Sequence, residues 1–477
     1  MPYEPEILKP GDNCWRVSTA DKVAFLVDGA DYFSTLSTSL QRAERRIVIL
    51  GGDFDSRISL VPGGPSLAEM LLDLLARKPD LHIHVLVWRS SLFYCANGEI
   101  SLFGETWRDH PRVHFVLDGA HPVGASHHQK VVCVDDSLAF MGGMDLTQER
   151  WDDCGHAPDN PGRINLTNNN YCPVHDVQMM VDGPAAADIA ALAAERWRVA
   201  TGEMLEELPR RFRRWPRHVR PALRRHRMAI ARTHPAYNDR PEAREIEALN
   251  YEALKAAKKY IYLEAQYFAL PTLTDLLADH LQRRSGPEVI IVATRKSNGV
   301  LEQYVMGENR DRLFGQLRRA DRWNRLRLLY PVSATAPECE VKVHSKLVIV
   351  DGRFLRVGSS NLNHRSMGLD TEIDAAFEAE GLTARRGIGR LLCRLLGEHM
   401  GVSPARLARH LAVHRSLVRT VDKLNCGERC LVPFPGSEAD GEFEPTLGSS
   451  LLDPHRPIDL DYLWNALTSL VPLRFSR

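Results

Sequence analysis

SHHQKVVCVDDSLAFMGGMD, Ser126–Asp145, sets His128 and Lys130 two residues apart, ahead of an apolar run, Asp135, the pair Gly142-Gly143 and Asp145. On an extended chain, residues i and i+2 project to one face. The histidine and the lysine therefore point together from a segment that otherwise reads as buried strand. HSKLVIVDGRFLRVGSSN, His344–Asn361, repeats the pattern with His344, Lys346, Asp351, Gly358-Ser359 and Asn361. In each copy 17 positions separate the histidine from the closing residue (145 − 128 and 361 − 344). One such constellation arises by chance in many long chains; two at one spacing, inside a wider duplication, do not.

The duplication extends well beyond the motifs. AERRIVILGGDF (43–54) aligns without gaps on AKKYIYLEAQYF (257–268), LHIHVLVWR (81–89) on PEVIIVATR (287–295), and RVHFVLDG (112–119) on RLRLLYPV (325–332). SLAEMLLDLLARK and LPTLTDLLADHLQRR lie between as helices, so each half predicts parallel βαβ units. VVCVDDSLAF and LVIVDGRFLRV read as tight hairpins. The expected fold is α/β: two duplicated halves, each a mixed sheet flanked by helices, packed about a pseudo-twofold axis with the motifs facing each other. The expected division is a first half over 1–207, an Arg-rich linker over 208–240, a second half over 241–400 and a C-terminal extension over 401–477. The linker contains PRRFRRWPRHVRPALRRHRMAIAR (209–232), with ten Arg, no Lys and no acid. It reads either as a solvated connection or as an arm, Arg210–Arg232, for anionic lipid headgroups or nucleic acid.

At 477 residues, 44% hydrophobic and 26% charged, the chain has the composition of a soluble globular protein with a full core. Lys+Arg and Asp+Glu are 61 each, so net charge directs it to neither nucleic acid nor membrane. Nine scattered cysteines without a CxxC pair predict reduced thiols, and Cys426–Cys430 has no second half with ligand spacing. The N-terminal residues lack a signal-peptide layout, and no apolar run approaches the ~20 residues of a membrane span. A cytoplasmic location is expected, peripheral at the membrane if the substrate is a lipid.

Two opposed histidines suit double displacement at phosphorus. One imidazole attacks a phosphodiester and forms a phosphohistidine; the other protonates the leaving alkoxide, then deprotonates the incoming water or alcohol. Lys130, Lys346 and the polar residues after the glycines, Asp145 and Asn361, would stabilise the equatorial oxygens. The motif groups Asp135 and Asp351 with this catalytic set, but at the strand ends they read as turn formers. Each histidine needs a carboxylate to set its tautomer. The candidates are Asp176, expected beside His128, and Glu372 (or Asp370) in the other half.

These residues resemble the phospholipase D superfamily, whose signature is HxKxxxxD followed, after six residues, by GSxN or GGxD. Both copies fit, and the resemblance covers roughly residues 20 to 400. Asp145, Arg150, Trp151 and Asp152 in GGMDLTQERWDD, IYLEAQYF, and NHRSMGLDTE lean toward phospholipase D proper, in its compact bacterial form. The resemblance implies His128 as nucleophile, His344 as general acid, no metal in the chemical step and no cofactor. It also implies that Asp176 and Glu372 orient the histidines and that Gln266, Ser359, Asn361 and Asn363 line the phosphate pocket. Ala265 in place of the family's usual Asn, and GGDFDS without its tryptophan pair, depart from the pattern. The implied activity is release of phosphatidic acid from a glycerophospholipid at a membrane surface, with transphosphatidylation, and no obligate protein partner is evident. A nuclease, a cardiolipin-synthase-type phosphatidyltransferase and a non-catalytic phosphate-binding scaffold are the alternatives.

Overall fold

Two twelve-residue strands, β1 (Arg16–Val27) and β9 (Leu223–His234), pair antiparallel at the centre of the molecule. The computed structural model describes residues 6–89, 106–209, 215–296, 303–333, 336, 339–436 and 449–457. From β1 the first half continues through β2 (Arg46–Gly51), β3 (His82–Trp88), β4 (Val113–Asp118), β5 (Val131–Val134), β6 (Leu138–Gly142), β7 (Val174–His175) and β8 (Val177–Asp182). From β9 the second half continues through β10 (Ala243–Arg244), β11 (Tyr260–Ala265), β12 (Glu288–Ala293), β13 (Leu326–Val332), β14 (Lys342–Val343), β15 (Leu347–Val350), β16 (Phe354–Gly358) and β17 (Glu372–Glu378). A last strand, β18 (Cys430–Pro433), pairs with β13 at the edge.

The duplication is visible in the strand order. Outward from the centre, the first half runs β1-β8-β6-β5-β2-β3-β4 and the second β9-β17-β16-β15-β11-β12-β13, one continuous sheet. In both halves the three outer strands are parallel and the hairpin strands antiparallel. The βαβ helices are α1 (Asp28–Leu40) and α2 (Leu67–Arg77) in the first half and their counterparts Glu245–Lys255 and Pro271–Gln282 in the second. On the opposite face lie the helices Pro184–Thr201 and Gly381–His399. One apolar cluster containing Trp197, Ile230, Leu392 and Leu396 runs under both halves on that face. The other face holds two separate cores, one per half. The interface between halves is thus a core in its own right.

The Arg-rich segment is not simply a linker. From Leu223 to His234 it is β9, hydrogen-bonded to β1 on one side and β17 on the other. Leu223, Met228, Ile230 and their neighbours are buried, while Arg224, Arg225 and Arg227 face out. Arg227 bonds Glu6 and Glu380, and Arg232 forms a paired contact with Glu245. Residues 210–214 lie outside the described residues. The strand has no period-two alternation to read: its first residues carry exposed arginines, and Met228–Ala231 is buried on both faces.

Candidate active site

Each motif enters the site just ahead of a hairpin strand, β5 or β15, and is fixed from its far end by its aspartate. The Asp135 carboxylate accepts the backbone N–H groups of Arg45 (2.7 Å), Arg46 (2.9 Å) and Glu44 (2.9 Å). Asp351 accepts those of Lys258, Lys259 and Tyr260, all at 2.8 Å. Both sit at the hairpin turn with φ near +50° (49° and 55°), a conformation Asp tolerates better than most residues. They tie the hairpin to the start of β2 or β11. Their grouping with the catalytic residues is therefore corrected: neither carboxylate faces the histidines.

The histidines and their carboxylates cross between halves. His128 Nδ1 lies 2.9 Å from both Glu372 oxygens, and His344 Nδ1 lies 2.7 Å from Asp176 Oδ2. The expectation that Asp176 stands beside His128 is overturned. The cause is backbone pairing across the dyad. The His128 N–H donates to the Thr371 carbonyl at 3.0 Å, and the His344 N–H to the His175 carbonyl at 2.7 Å. β7 and β14 form a two-stranded parallel sheet bridging the halves, with a matching bridge between His127 and Thr371. The next residue in each case, Glu372 or Asp176, is thereby delivered to the opposite half's histidine. Asp370 takes a different part, holding Arg365 and the Ser126 N–H.

Nδ1 bonded to a carboxylate leaves Nε2 as the available ring nitrogen in both histidines. The glycines of the opening stretch make this approach possible. A Cβ on Gly143 would fall 2.7 Å from Asp176 Oδ2 and 3.0 Å from the His344 carbonyl oxygen.

The two lysines differ. Lys130 Nζ pairs with Asp145 at 3.1 Å, whose other oxygen accepts the N–H groups of Gly52 (2.9 Å) and Asp53 (3.2 Å). Lys346 Nζ meets the neutral Gln266 amide at 2.8 Å and the His344 carbonyl. Asn361, the counterpart of Asp145, is buried with an unpartnered Oδ1. Among the described residues, Lys346 has no carboxylate in direct ion-pair contact. Ser359 and Asn363 support Glu372 from its own half. Ser359 donates to the carboxylate, and Asn363 caps the short helix His364–Gly368, whose Ser366 hydroxyl donates to Glu372 at 2.6 Å. Thr371, His175 and Ser366 have no signal in the motifs, since only the cross-half pairing gives them a role.

Burial drives these groups toward their uncharged forms. It lowers His128 to about 3, with Lys130 adding to the effect. It lowers His344 well below the ordinary histidine range, with Lys346 and Arg150 adding. Burial raises Glu372 to about 7 against the Ser359 and Ser366 hydrogen bonds, and Asp176 to about 6 against the pull of Lys346. Lys346 itself is lowered to about 7 by burial, opposed by Asp176.

A duplicated mixed sheet with paired His-Lys motifs meeting at its dyad defines a phosphoryl-handling class of fold. Two family models match this chain: "Phospholipase D" over residues 39–219 and "Cardiolipin synthase, PLD-like domain" over residues 251–385. The chain belongs to the phospholipase D superfamily. Phospholipase D A of Dictyostelium discoideum is 24% identical over 457 residues, covering 80% of this chain. The chain spans only 36% of that protein's length. The cardiolipin synthase of Geobacillus kaustophilus is 22% identical over 376 residues, covering 75% of this chain and 63% of its own. The phosphatidylserine synthase of Haemophilus influenzae shares the fold at a TM-score of 0.54 and 14% identity, over 80% of this chain and 85% of that one. Among the described residues, no helix is long and apolar enough to cross a membrane.

Proposed function

We propose that this chain is a phospholipase D acting on glycerophospholipids at a membrane surface, through a covalent phosphohistidine. The supporting observation is the pair of cross-half dyads, His128–Glu372 and His344–Asp176, each with Nδ1 held and Nε2 available. In the first step the His128 Nε2 lone pair forms a bond to phosphorus as the bond to the headgroup oxygen breaks, and that oxygen takes a proton from His344 Nε2. In the second, water or an alcohol gives its proton to His344 and displaces the histidine, yielding phosphatidic acid or a new phosphatidyl ester. A bound phosphodiester anion beside His344 offsets the burial that keeps it neutral, so His344 takes up a proton from solvent as substrate binds. Lys346, without a carboxylate partner, supplies charge to the equatorial oxygens. Gln266, which accepts from Lys346 Nζ at 2.8 Å, is read as its companion at those oxygens.

A phosphatidyltransferase of the cardiolipin-synthase kind is the second reading, favoured by the family match over residues 251–385. Mixed micelles of phosphatidylcholine, phosphatidylethanolamine and phosphatidylglycerol, with and without ethanol, separate the two. Hydrolysis predicts free headgroup with phosphatidic acid, or phosphatidylethanol when ethanol is present. The transferase predicts cardiolipin and glycerol from phosphatidylglycerol alone. No headgroup release from any lipid, or release undiminished in His128→Ala, overturns the proposal; activity on DNA or RNA that His344→Ala abolishes would replace it with a nuclease.

A further inference from the structure

His175, whose carbonyl fixes His344, carries its side chain into a second cluster that this chemistry does not use. The ring is fully buried, with Nε2 3.1 Å from Glu264 Oε2 and Nδ1 2.9 Å from Glu398 Oε1 and 3.0 Å from Asp28 Oδ1. His156 mirrors this. Its Nδ1 lies 2.8 Å from Asp152 Oδ2, and its Nε2 3.3 Å from Glu398 Oε1 and 3.8 Å from Asp28 Oδ2. Asp152 is itself held by Arg163 at 2.9 Å, and Glu264 by Tyr262, Ser345 and His399. Asp28 is wholly enclosed, and beyond the 3.0 Å contact with His175 Nδ1, which His175 shares with Glu398, its carboxylate oxygens have no well-aligned hydrogen bond. A buried carboxylate so placed has fewer partners than normally offset its desolvation.

We propose that Asp28, His156, His175 and Glu398 bind one divalent transition-metal ion, zinc by its donor set, as a structural clasp between the two halves. Three ligands come from the first half, and Glu398 from the helix Gly381–His399 of the second. Zinc bonds of roughly 2.0–2.1 Å place tetrahedral donors about 3.3 Å apart. The histidine-to-carboxylate distances, 2.9, 3.0, 3.3 and 3.8 Å, bracket that value, and one ligand atom from each of the four residues lies within 4.8 Å of the others. Each histidine has its far nitrogen against a carboxylate, the arrangement that turns the near nitrogen toward a metal. Imidazole with carboxylate suits zinc and its first-row neighbours rather than calcium.

The site is enclosed, so metal should enter during folding and resist removal. The full chain, expressed in zinc-supplemented medium, would be dialysed against EDTA and its metals measured by mass spectrometry. Zinc release would then be followed with a chromogenic chelator during guanidinium unfolding. The expected result is about one zinc per chain, retained through dialysis and released only on unfolding. Glu398→Gln and His156→Gln, checked for folding by circular dichroism, should lose most of it; His84→Gln should keep it. Manganese, iron or cobalt at the same stoichiometry, lost in the same variants, supports the site with another metal. Wild-type protein containing none of these metals, or content unchanged in both folded cluster variants, overturns the proposal and leaves an ion-pair network.

Discussion

His128 and His344 are each governed by a carboxylate from the other half of the chain, and this sets what single substitutions should do. Asp176→Asn and Glu372→Gln keep size and burial but remove the acceptor that fixes the imidazole tautomer. Each should lower kcat on phospholipid by roughly 10²–10⁴-fold with little change in thermal stability; a loss below tenfold would show that tautomer control matters little here. Burial also fixes the expected pH dependence. The attacking imidazole must be neutral, and His128 is lowered to about 3 by burial and then by Lys130. Since kcat/KM reports the free enzyme and Glu372 must be ionised to hold His128, its acid limb should follow Glu372, which burial raises to about 7. An acid limb at the ordinary glutamate value of about 4.3 would contradict the description of a desolvated dyad. Gly143 offers a third residue-scale test. The added methyl of Gly143→Ala meets Asp176 and the His344 carbonyl inside normal contact, so activity should drop at least as far as in Asp176→Asn.

At the scale of the element, the hairpin following each motif is held by one aspartate bonded to three consecutive backbone N–H groups. Asp135→Ala strands those donors, one buried and two part-buried, and should cost about 1–3 kcal/mol in denaturant unfolding. Asp351→Ala should cost less, because two of its three hydrogen bonds are solvent-exposed. A large kcat loss in Asp135→Ala at full stability would restore it to the catalytic set. These hairpins were legible because period-two apolar runs and an Asp turn are local signals. The strand Leu223–His234 was not, because its start is dominated by exposed arginines and its later residues are buried on both faces, Met228 and Ile230 on one and Ala229 and Ala231 on the other, so no period-two pattern appears. The duplication held the missing clue, since a second half lacking a counterpart to β1 would leave a gap at the centre of the sheet.

At the scale of the molecule, β1 and β9 join two repeats into one sheet, and the apolar cluster beneath them is shared. The sequence made the two motifs, their opposition and the candidate carboxylates legible, because spacing and residue type carry that information. The exchange of carboxylates was not legible. It arises from pairing between segments 167 residues apart, Pro173–His175 and Lys342–His344 (342 − 175), and no local pattern records which of two equivalent partners a strand end chooses. The covalent intermediate reports directly on that exchange. A short-chain phosphatidyl p-nitrophenol needs no proton for its leaving group, so only the second step requires His344 as base. Rapid quenching of Asp176→Asn and Glu372→Gln with this substrate, followed by peptide mass spectrometry, locates the adduct. The account predicts a phosphatidyl group accumulating on His128 in Asp176→Asn and little adduct in Glu372→Gln; accumulation in Glu372→Gln instead, with none in Asp176→Asn, would contradict it.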